Sequence, residues 1–229
     1  MALPNWISTR EVCEAFADEI GAMGGQISDA YDDGERLFGR SILRDEREVR
    51  RGDAVRGGVA VMMADREIRV HPYVFRKVCG NGAIMAQAVQ TRRIELPSEE
   101  DAHDDVMGEL RETIRACGDP DVFAQSVGEI RSSVDREADF ALTVLPMLDR
   151  LPEAVRVSMM GLIAGRFFGS AERSRFGLMN AVTSLARDTT EPDLRWRLEE
   201  IGGGIPAMKP VPRRPVGMAM VPPQMYVHA

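Results

Sequence analysis

The sequence contains few cysteines and few aromatic side chains, and it lacks a long hydrophobic run. Its three cysteines are widely spaced and form no metal-ligand pattern, so we interpret them as reduced thiols. No run of eighteen apolar residues is present, and the first ten residues lack the basic flank and apolar stretch of a secretory signal. We therefore expect a cytoplasmic protein that has no membrane partner.

Lysine is also scarce, because 27 of the 29 cationic residues are arginine. Arginine favours planar two-point contacts with phosphate or carboxylate, although a base-rich genome gives the same bias. Hydrophobic residues make up 44% of the chain and charged residues 28%, which is typical of a folded protein and excludes a wholly disordered one.

The charge is strongly segregated along the chain. Residues 36–93 hold thirteen basic and six acidic side chains, whereas residues 94–154 hold five basic and sixteen acidic ones. If the cations of this basic middle segment face outward together, they predict an anionic partner. If they pair with the acidic flanks, they predict only an internally neutralised fold.

The first half of the chain predicts one helix followed by extended segments. Ser8 and Glu11 form a capping-box pattern at the start of an N-terminal amphipathic helix. Alternating apolar residues over 41–70 indicate strands joined by a hairpin. Residues 72–79 fit a short helix, with a strand as the alternative, and a turn at residues 81–82 leads into a second extended stretch.

Beyond Pro97 the apolar residues recur at helical spacing and predict five helices. The strongest pattern begins at Asp119-Pro120 and continues from Phe123 to Leu145 over about six turns. The last helix ends at three consecutive glycines, and the following residues 205–229 are rich in proline. We expect this tail to be extended or disordered.

Strands therefore precede helices instead of alternating with them, which is typical of an α+β fold. We predict an antiparallel sheet in the first half, within about residues 41–96, packed by a helical second half. We favour a single domain over residues 1–204, although a domain boundary near Pro97 would also explain the change of charge sign.

Catalytic signatures are missing from the sequence. It contains no phosphate-binding loop, nucleophile-elbow serine, paired-histidine zinc helix or dinucleotide fingerprint. Glu100, His103 and Asp104 could share one helical face and bind a divalent cation, but the solvated acidic start of a helix is the simpler interpretation. We therefore predict no cofactor and no metal site, and we favour a protein that is not an enzyme.

The cations of the basic middle segment are the candidate nucleic-acid contacts. If they extend across a sheet, they form a basic face that neutralises several phosphates along a strand. The competing interpretation is local pairing with carboxylates, and the sparse aromatic residues give little support to base stacking. The candidate contacts are Arg44, Arg47, Arg50, Arg51, Arg66, Arg69, Arg76, Lys77, Arg92 and Arg93.

Residues 76–82 read Arg-Lys-Val-Cys-Gly-Asn-Gly. This stretch resembles the Arg-x-x-Cys-x-Asn-Gly signature of the phage/plasmid-like protein family, a domain of unknown function. The segments at 58–61 and 176–187 are also similar to parts of that family, so that the resemblance spans about 150 residues. It implies a bacterial protein encoded by a phage or plasmid, and it implies no established reaction.

The signature residues allow a structural and a functional interpretation. In the structural one, Arg76 reaches nearby carbonyls or a carboxylate and Asn81 supports a tight turn. In the functional one, the signature and a polar face of a later helix form one cleft that binds an anion. The candidate cleft consists of Arg76, Asn81, Asn180, Thr183 and Arg187.

Together these features predict a non-catalytic, nucleic-acid-associated accessory protein of a phage or plasmid, which binds single strands during replication or recombination. The alternative is an oligomeric interaction or assembly protein of a phage that does not bind nucleic acid. A homo-oligomer is compatible with both hypotheses.

Overall fold

A computed structural model describes residues 3–208, apart from the side chain of Glu100. An antiparallel sheet of seven strands occupies residues 26–95, and helices follow it, so the predicted α+β class is confirmed. The strands are β1 (Gln26–Asp32), β2 (Leu37–Ile42), β3 (Glu46–Arg50), β4 (Asp53–Ala64), β5 (Glu67–Arg76), β6 (Asn81–Ile84) and β7 (Arg92–Glu95).

The first helix, α1 (Thr9–Ala22), begins as the capping-box pattern predicts. The Ser8 hydroxyl accepts a bond from the Glu11 amide at 3.2 Å, and the Glu11 carboxylate accepts one from the Ser8 amide at 2.9 Å. These reciprocal bonds satisfy amide donors that the helix itself cannot use. The other α-helices among the described residues are α2 (His103–Cys117), α3 (Pro120–Val134), α4 (Phe140–Leu148), α5 (Glu153–Gly169), α6 (Arg175–Arg187) and α7 (Pro192–Gly204).

A long hairpin of β4 and β5 forms the centre of the sheet. Its residue pairs run from Val55–Arg76 at the open end to Ala64–Glu67 at the closed end. β2 and then β1 extend the sheet beside β4, while β3 pairs with the start of β4. β6 and β7 share the outer edge of β5, so that β3 and β6 lie at the open end and β7 lies at the closed end.

Helices cover both faces of the sheet, because successive strand residues point to opposite faces. Val61 of β4 packs in the core that α1 and α2 complete with Phe16 and Ile114. Its neighbour Met62 packs in a separate core with Trp196 of α7. A third core joins α3, α4, α5, α6 and α7 to the open end of the sheet through Val55. The open end is therefore enclosed by helices from the second half of the chain.

The short helix expected over residues 72–79 is wrong, and the strand that was its alternative is present. Pro72 pairs with Val59 inside β5, and its carbonyl accepts a bond from the Met85 amide at 2.9 Å. The carbonyl of Pro72 and its nitrogen, which has no hydrogen to donate, both face the outer edge of β5. At this position neither β6 nor β7 pairs with β5, so the missing N–H donor costs little. The turn is also displaced to residues 77–80, where Gly80 has φ +63°, and Asn81 and Gly82 begin β6.

The long helix expected from Phe123 to Leu145 is instead two helices, α3 and α4. Residues between them bond to a neighbouring segment, because the Ala138 amide donates to the Arg173 carbonyl at 3.0 Å and the Arg175 amide donates to the Arg136 carbonyl at 2.7 Å. The Asp139 side chain then caps α4. Tertiary hydrogen bonds thus replace the helical ones at the break.

The sheet also begins earlier than predicted, at residue 26 instead of about 41, because β1 and β2 were not recognised. β1 is largely exposed and acidic, and it lacks the apolar alternation that identifies a strand.

The predicted tail begins one residue or more too early. Ile205, which the prediction includes in the tail, is fully buried against the helices. The prediction for residues 209–229 lies outside the described residues. None of the helices within residues 3–208 combines the length and the apolar character needed to cross a bilayer.

Candidate anion-binding cavity

A cavity of about 270 Å³ lies at the open end of the β4–β5 hairpin, between the sheet and helices α5 and α6. Cross-strand pairing of Arg76 with Asn81 brings two residues of the Arg-x-x-Cys-x-Asn-Gly stretch to its wall. Asn180 of α6 lies on the same wall, so three of the five residues of the candidate cleft line one cavity. The wall includes Arg50, Arg76, Cys79, Asn81, Arg166 and Asn180.

Arg76 is held in place by a buried carboxylate and an aromatic ring. Its Nε and Nη2 atoms donate to the two carboxylate oxygens of Asp53 at 2.6 and 2.5 Å, and the Asp53 side chain is only 5% exposed. The guanidinium also lies 5.2 Å from the centre of the Phe176 ring. Burial opposes the charge of Arg76, but the bonds to Asp53 raise its pKa above the ordinary value. The side chain is therefore a fixed cation.

Two further guanidinium groups complete the cationic part of the wall. Arg50 donates to Glu172 at 2.7 Å and lies 5.0 Å from the centre of the Phe176 ring. Arg166 of α5 donates to the Ser184 hydroxyl at 3.0 Å and to Asp188 at 2.9 Å. Each group uses only part of its five N–H donors in these bonds, so donors remain for an anion.

The acidic component of the wall is Glu172. A hydrogen bond from the Ser174 hydroxyl makes the largest contribution to lowering the pKa of this carboxyl, and the Arg50 guanidinium lowers it further. Burial raises the pKa, but the net result is below the usual range. Glu172 is therefore ionised at neutral pH. The lining itself contains three guanidinium groups and one carboxylate, while Asp53 and Asp188 pair with Arg76 and Arg166 from outside the lining.

The amide groups of the cavity wall contain unused acceptors. Asn81 is 3% exposed, and its Nδ2 donates to the Thr183 hydroxyl, which in turn donates to the Met179 carbonyl at 3.0 Å. Because the Thr183 proton is already used, the hydroxyl must accept from Asn81, which fixes the orientation of that amide. Among the described residues, the Oδ1 atoms of Asn81 and Asn180 have no hydrogen-bond partner. Buried acceptors of this kind are uncommon in folded proteins and mark a place where a hydrogen-bond donor such as water would be stabilised. A phosphate oxygen is itself an acceptor, so it would bind to the N–H donors of the wall and not to these two atoms.

The remaining two residues of the candidate cleft support the cavity from behind. Thr183 holds Asn81. Arg187 donates to the Cys79 carbonyl and to Asp188, the latter at 2.9 Å, and so fixes the turn that positions Cys79. Both residues therefore position groups of the wall and are not part of its lining.

The predicted nucleic-acid contacts lie at two separate ends of the central hairpin. Nine residues of β4 separate the two ends of the hairpin, which corresponds to about 30 Å of extended chain. One group lies on or beside the strands of the open end, namely Arg44, Arg47, Arg50, Arg51, Arg76 and Lys77. The other lies at the closed end, namely Arg66, Arg69, Arg92 and Arg93.

Carboxylates neutralise much of this charge. Eight of the thirteen cations in residues 36–93 form ion pairs with Asp or Glu. Glu46, for example, binds Lys77 at 2.9 Å and Arg56 at 3.0 Å. Others have neutral partners, since Arg47 lies over the Phe123 ring and Arg66 donates to the Leu96 carbonyl. The fold thus follows the pairing interpretation over most of the segment, and the paired cations include Arg50 and Arg76 of the cavity wall.

Of the residues considered for a metal, His103 and Asp104 have described side chains, and each has contacts other than a metal. His103 contacts Asp104 at 3.1 Å and Glu11 at 3.5 Å, and it packs edge-on against Trp6. Within the part of the chain that the structure describes, no group of three or more His, Cys, Asp or Glu side chains could hold a metal ion.

Several residues of the cavity were not predicted as part of it. The sequence predicts Arg50 only as part of the basic face, and it predicts no role for Arg166 or Glu172. The sequence contains one indication that Arg166 belongs to a site, because Arg166 is the only charged residue in the apolar second half of α5. A lone cation in such a segment indicates a specific partner.

The chain matches no protein-family model, and comparisons with curated proteins and with solved structures give no match either.

Proposed function

We propose that this chain is a non-catalytic, nucleic-acid-associated protein that binds a phosphate group of a single strand in the cavity at the open end of the sheet. The observation that carries the proposal is the convergence of the Arg50, Arg76 and Arg166 guanidinium groups on that cavity. Planar guanidinium groups match the oxygens of a phosphate through paired hydrogen bonds.

Preorganisation supports phosphate binding at this position. Asp53 and the Phe176 ring hold Arg76 and Arg50 before any ligand arrives, so little side-chain entropy is lost on binding. The candidate cleft, defined by a likeness to a phage/plasmid-like family, contributes Arg76, Asn81 and Asn180 to the same wall. An accessory role for a phage or plasmid is therefore part of the proposal.

The concave shape and the limited charge favour a single strand over a duplex. A cavity of about 270 Å³ encloses one phosphate and its sugar, and a flexible strand can bend to insert them. Since most cations of residues 36–93 are paired with carboxylates and only three guanidinium groups line the cavity, we expect only two or three phosphates to be neutralised. The logarithm of the binding constant should then fall with the logarithm of salt concentration with a slope of about −1.5 to −2.

Fluorescence anisotropy with a labelled single-stranded oligonucleotide at low ionic strength tests this proposal. Arg50→Gln and Arg166→Gln should each weaken binding about 10-fold or more, because each removes a charge-assisted contact. Arg10→Gln is the matched control, since Arg10 is an exposed arginine of α1 that pairs with Glu14. Absence of binding by the wild-type protein, or equal weakening by all three substitutions, would overturn the proposal.

The alternative of an interaction or assembly protein is favoured by a different observation. Exposed apolar side chains are concentrated on α4 and α5, on a surface separate from the cavity lining.

A further inference from the structure

The most exposed apolar surface of the protein lies on α4 and α5. Eight large hydrophobic side chains are exposed among the described residues, and five of them belong to these two helices. Contiguous apolar patches are rare on monomers and mark interaction sites. The five side chains are Leu142, Leu145, Val157, Leu162 and Phe168.

α5 is more apolar than a surface helix should be. It has 17 residues, of which only Glu153, Arg156 and Arg166 are charged, yet only Ile163 and Phe167 are buried. Amphipathic helices normally expose a charged face, and a helix that is apolar all round is normally covered on all sides. The exposed face of α5 is therefore built to be covered.

The exposed face has the shape that accepts another helix. Gly161, Gly165 and Gly169 recur every four residues, and no atom lies within 4 Å of the position that a side chain would take at any of them. At 100° per residue, Val157 and Phe168 fall on the same side of α5 as Gly161 and Gly165. These four residues form a stripe along α5 that has two glycines at its centre and a large side chain at each end. Beside it, a groove of about 390 Å³ separates α5 from α4.

We propose that a second copy of this chain covers this face, with the two α5 helices packed antiparallel across a two-fold axis. An axis between Gly161 and Gly165 places these glycines opposite each other, and it places Val157 opposite Gly169 of the other copy. Large side chains then meet small ones at both ends, as helix packing requires.

The size of the face sets the strength of this dimer. α5 and α4 have 17 and 9 residues, which correspond to lengths of about 25 and 13 Å, and each is about 10 Å wide. The covered area is then about 400 Å² on each copy, which is below the usual size of a specific interface. We therefore infer a weak dimer that dissociates on dilution.

Sedimentation velocity of the full chain from about 1 to 100 μM tests the proposal. The wild-type protein should shift from monomer to dimer in this range, and Val157→Glu should weaken the dimer at least about 10-fold. Val89→Glu is the matched control, because Val89 is 76% exposed on the loop between β6 and β7 and Val157 is 75% exposed. It should leave dimerisation unchanged.

A second pair of substitutions separates the interface from the fold. Gly165→Leu has room in the monomer and improves helix propensity, so the protein should remain folded but lose the dimer. Gly128→Leu makes the same change at an exposed glycine of α3 that also has open space around it, and it should have no effect on association. A monomer at every concentration would contradict the proposal, including the case in which residues 209–229 cover the face instead. Equal effects of each substitution and its control would contradict it as well.

Discussion

Asp53 and Arg76 form a two-point ion pair at the wall of the cavity, with N–O distances of 2.6 and 2.5 Å. Asp53 is the first residue of β4 and Arg76 is the last residue of β5, so the pair closes the open end of the central hairpin. It therefore links the stability of the sheet to the position of a cation in the candidate site.

Asp53→Asn should lower the free energy of unfolding by about 2–4 kcal/mol, because it leaves a half-buried guanidinium without its counter-charge. Denaturant unfolding measures this loss. Glu14→Gln removes a carboxylate from an exposed ion pair of α1 and should cost less than about 0.5 kcal/mol. Equal effects of the two substitutions would show that the Asp53–Arg76 pair has no special role.

Gly203→Ala should destabilise the protein, because the backbone of α7 approaches β6 too closely for a side chain. The added Cβ would lie 2.0 Å from the Ile84 carbonyl oxygen, which is a backbone atom that cannot move aside easily. A loss of about 2 kcal/mol or more is expected from such overpacking. Gly128→Ala in α3 meets open space and should raise stability by about 0.5–1 kcal/mol. Thermal unfolding of the two variants checks the opposite signs.

His71 should make the stability fall as the pH is lowered. Burial is the main cause that lowers the pKa of this imidazole to about 4, and the nearby charge of Arg69 lowers it further. The Glu200 carboxylate lies 3.6 Å from Nε2 and acts in the opposite direction. The unfolded chain protonates this histidine near pH 6.5 while the folded chain keeps it neutral, so the unfolded state binds more protons. The loss begins as the pH falls below about 6.5, reaches about 2 kcal/mol at pH 5 and is complete below about pH 4.

His71→Gln removes this titration, so its unfolding free energy should change less than that of the wild-type protein between about pH 7.5 and 5. The comparison uses denaturant titrations at both pH values, and parallel changes in the two proteins would contradict the prediction. Titrations of carboxylates distant from His71 are common to both proteins and cancel in the difference, whereas Glu200 lies 3.6 Å from Nε2 and contributes to it.

Local patterns in the sequence predict much of this fold. The capping box at Ser8 gives α1, and period-3.6 patterns predict helices in the second half of the chain, where α2, α5 and α6 are found. The errors occur where tertiary contacts decide the structure. Pro72 suits a strand only because β6 and β7 leave a gap beside it, and this gap cannot be recognised from the residues around Pro72.

The candidate site was only partly predictable for the same reason. Arg76 and Asn81 are close in sequence, and Asn180 was joined to them through a likeness to a known family. The partner of Arg50, however, is Glu172, which lies 122 residues away in the sequence. Pairing of charges over such separations depends on the complete fold, so a count of cations in one segment overestimates its free positive charge.

Occupancy of the cavity can be measured most directly through Cys79, which lies in its wall and is partly exposed. Alkylation of the full chain by iodoacetamide, with and without a saturating single-stranded oligonucleotide, can be followed at each cysteine by mass spectrometry. Cys13, which is partly exposed on α1, is the internal control. We expect the ligand to slow modification of Cys79 in proportion to the occupied fraction and to leave Cys13 unchanged. Binding that leaves the Cys79 rate unchanged would contradict the assignment of this cavity as the phosphate site.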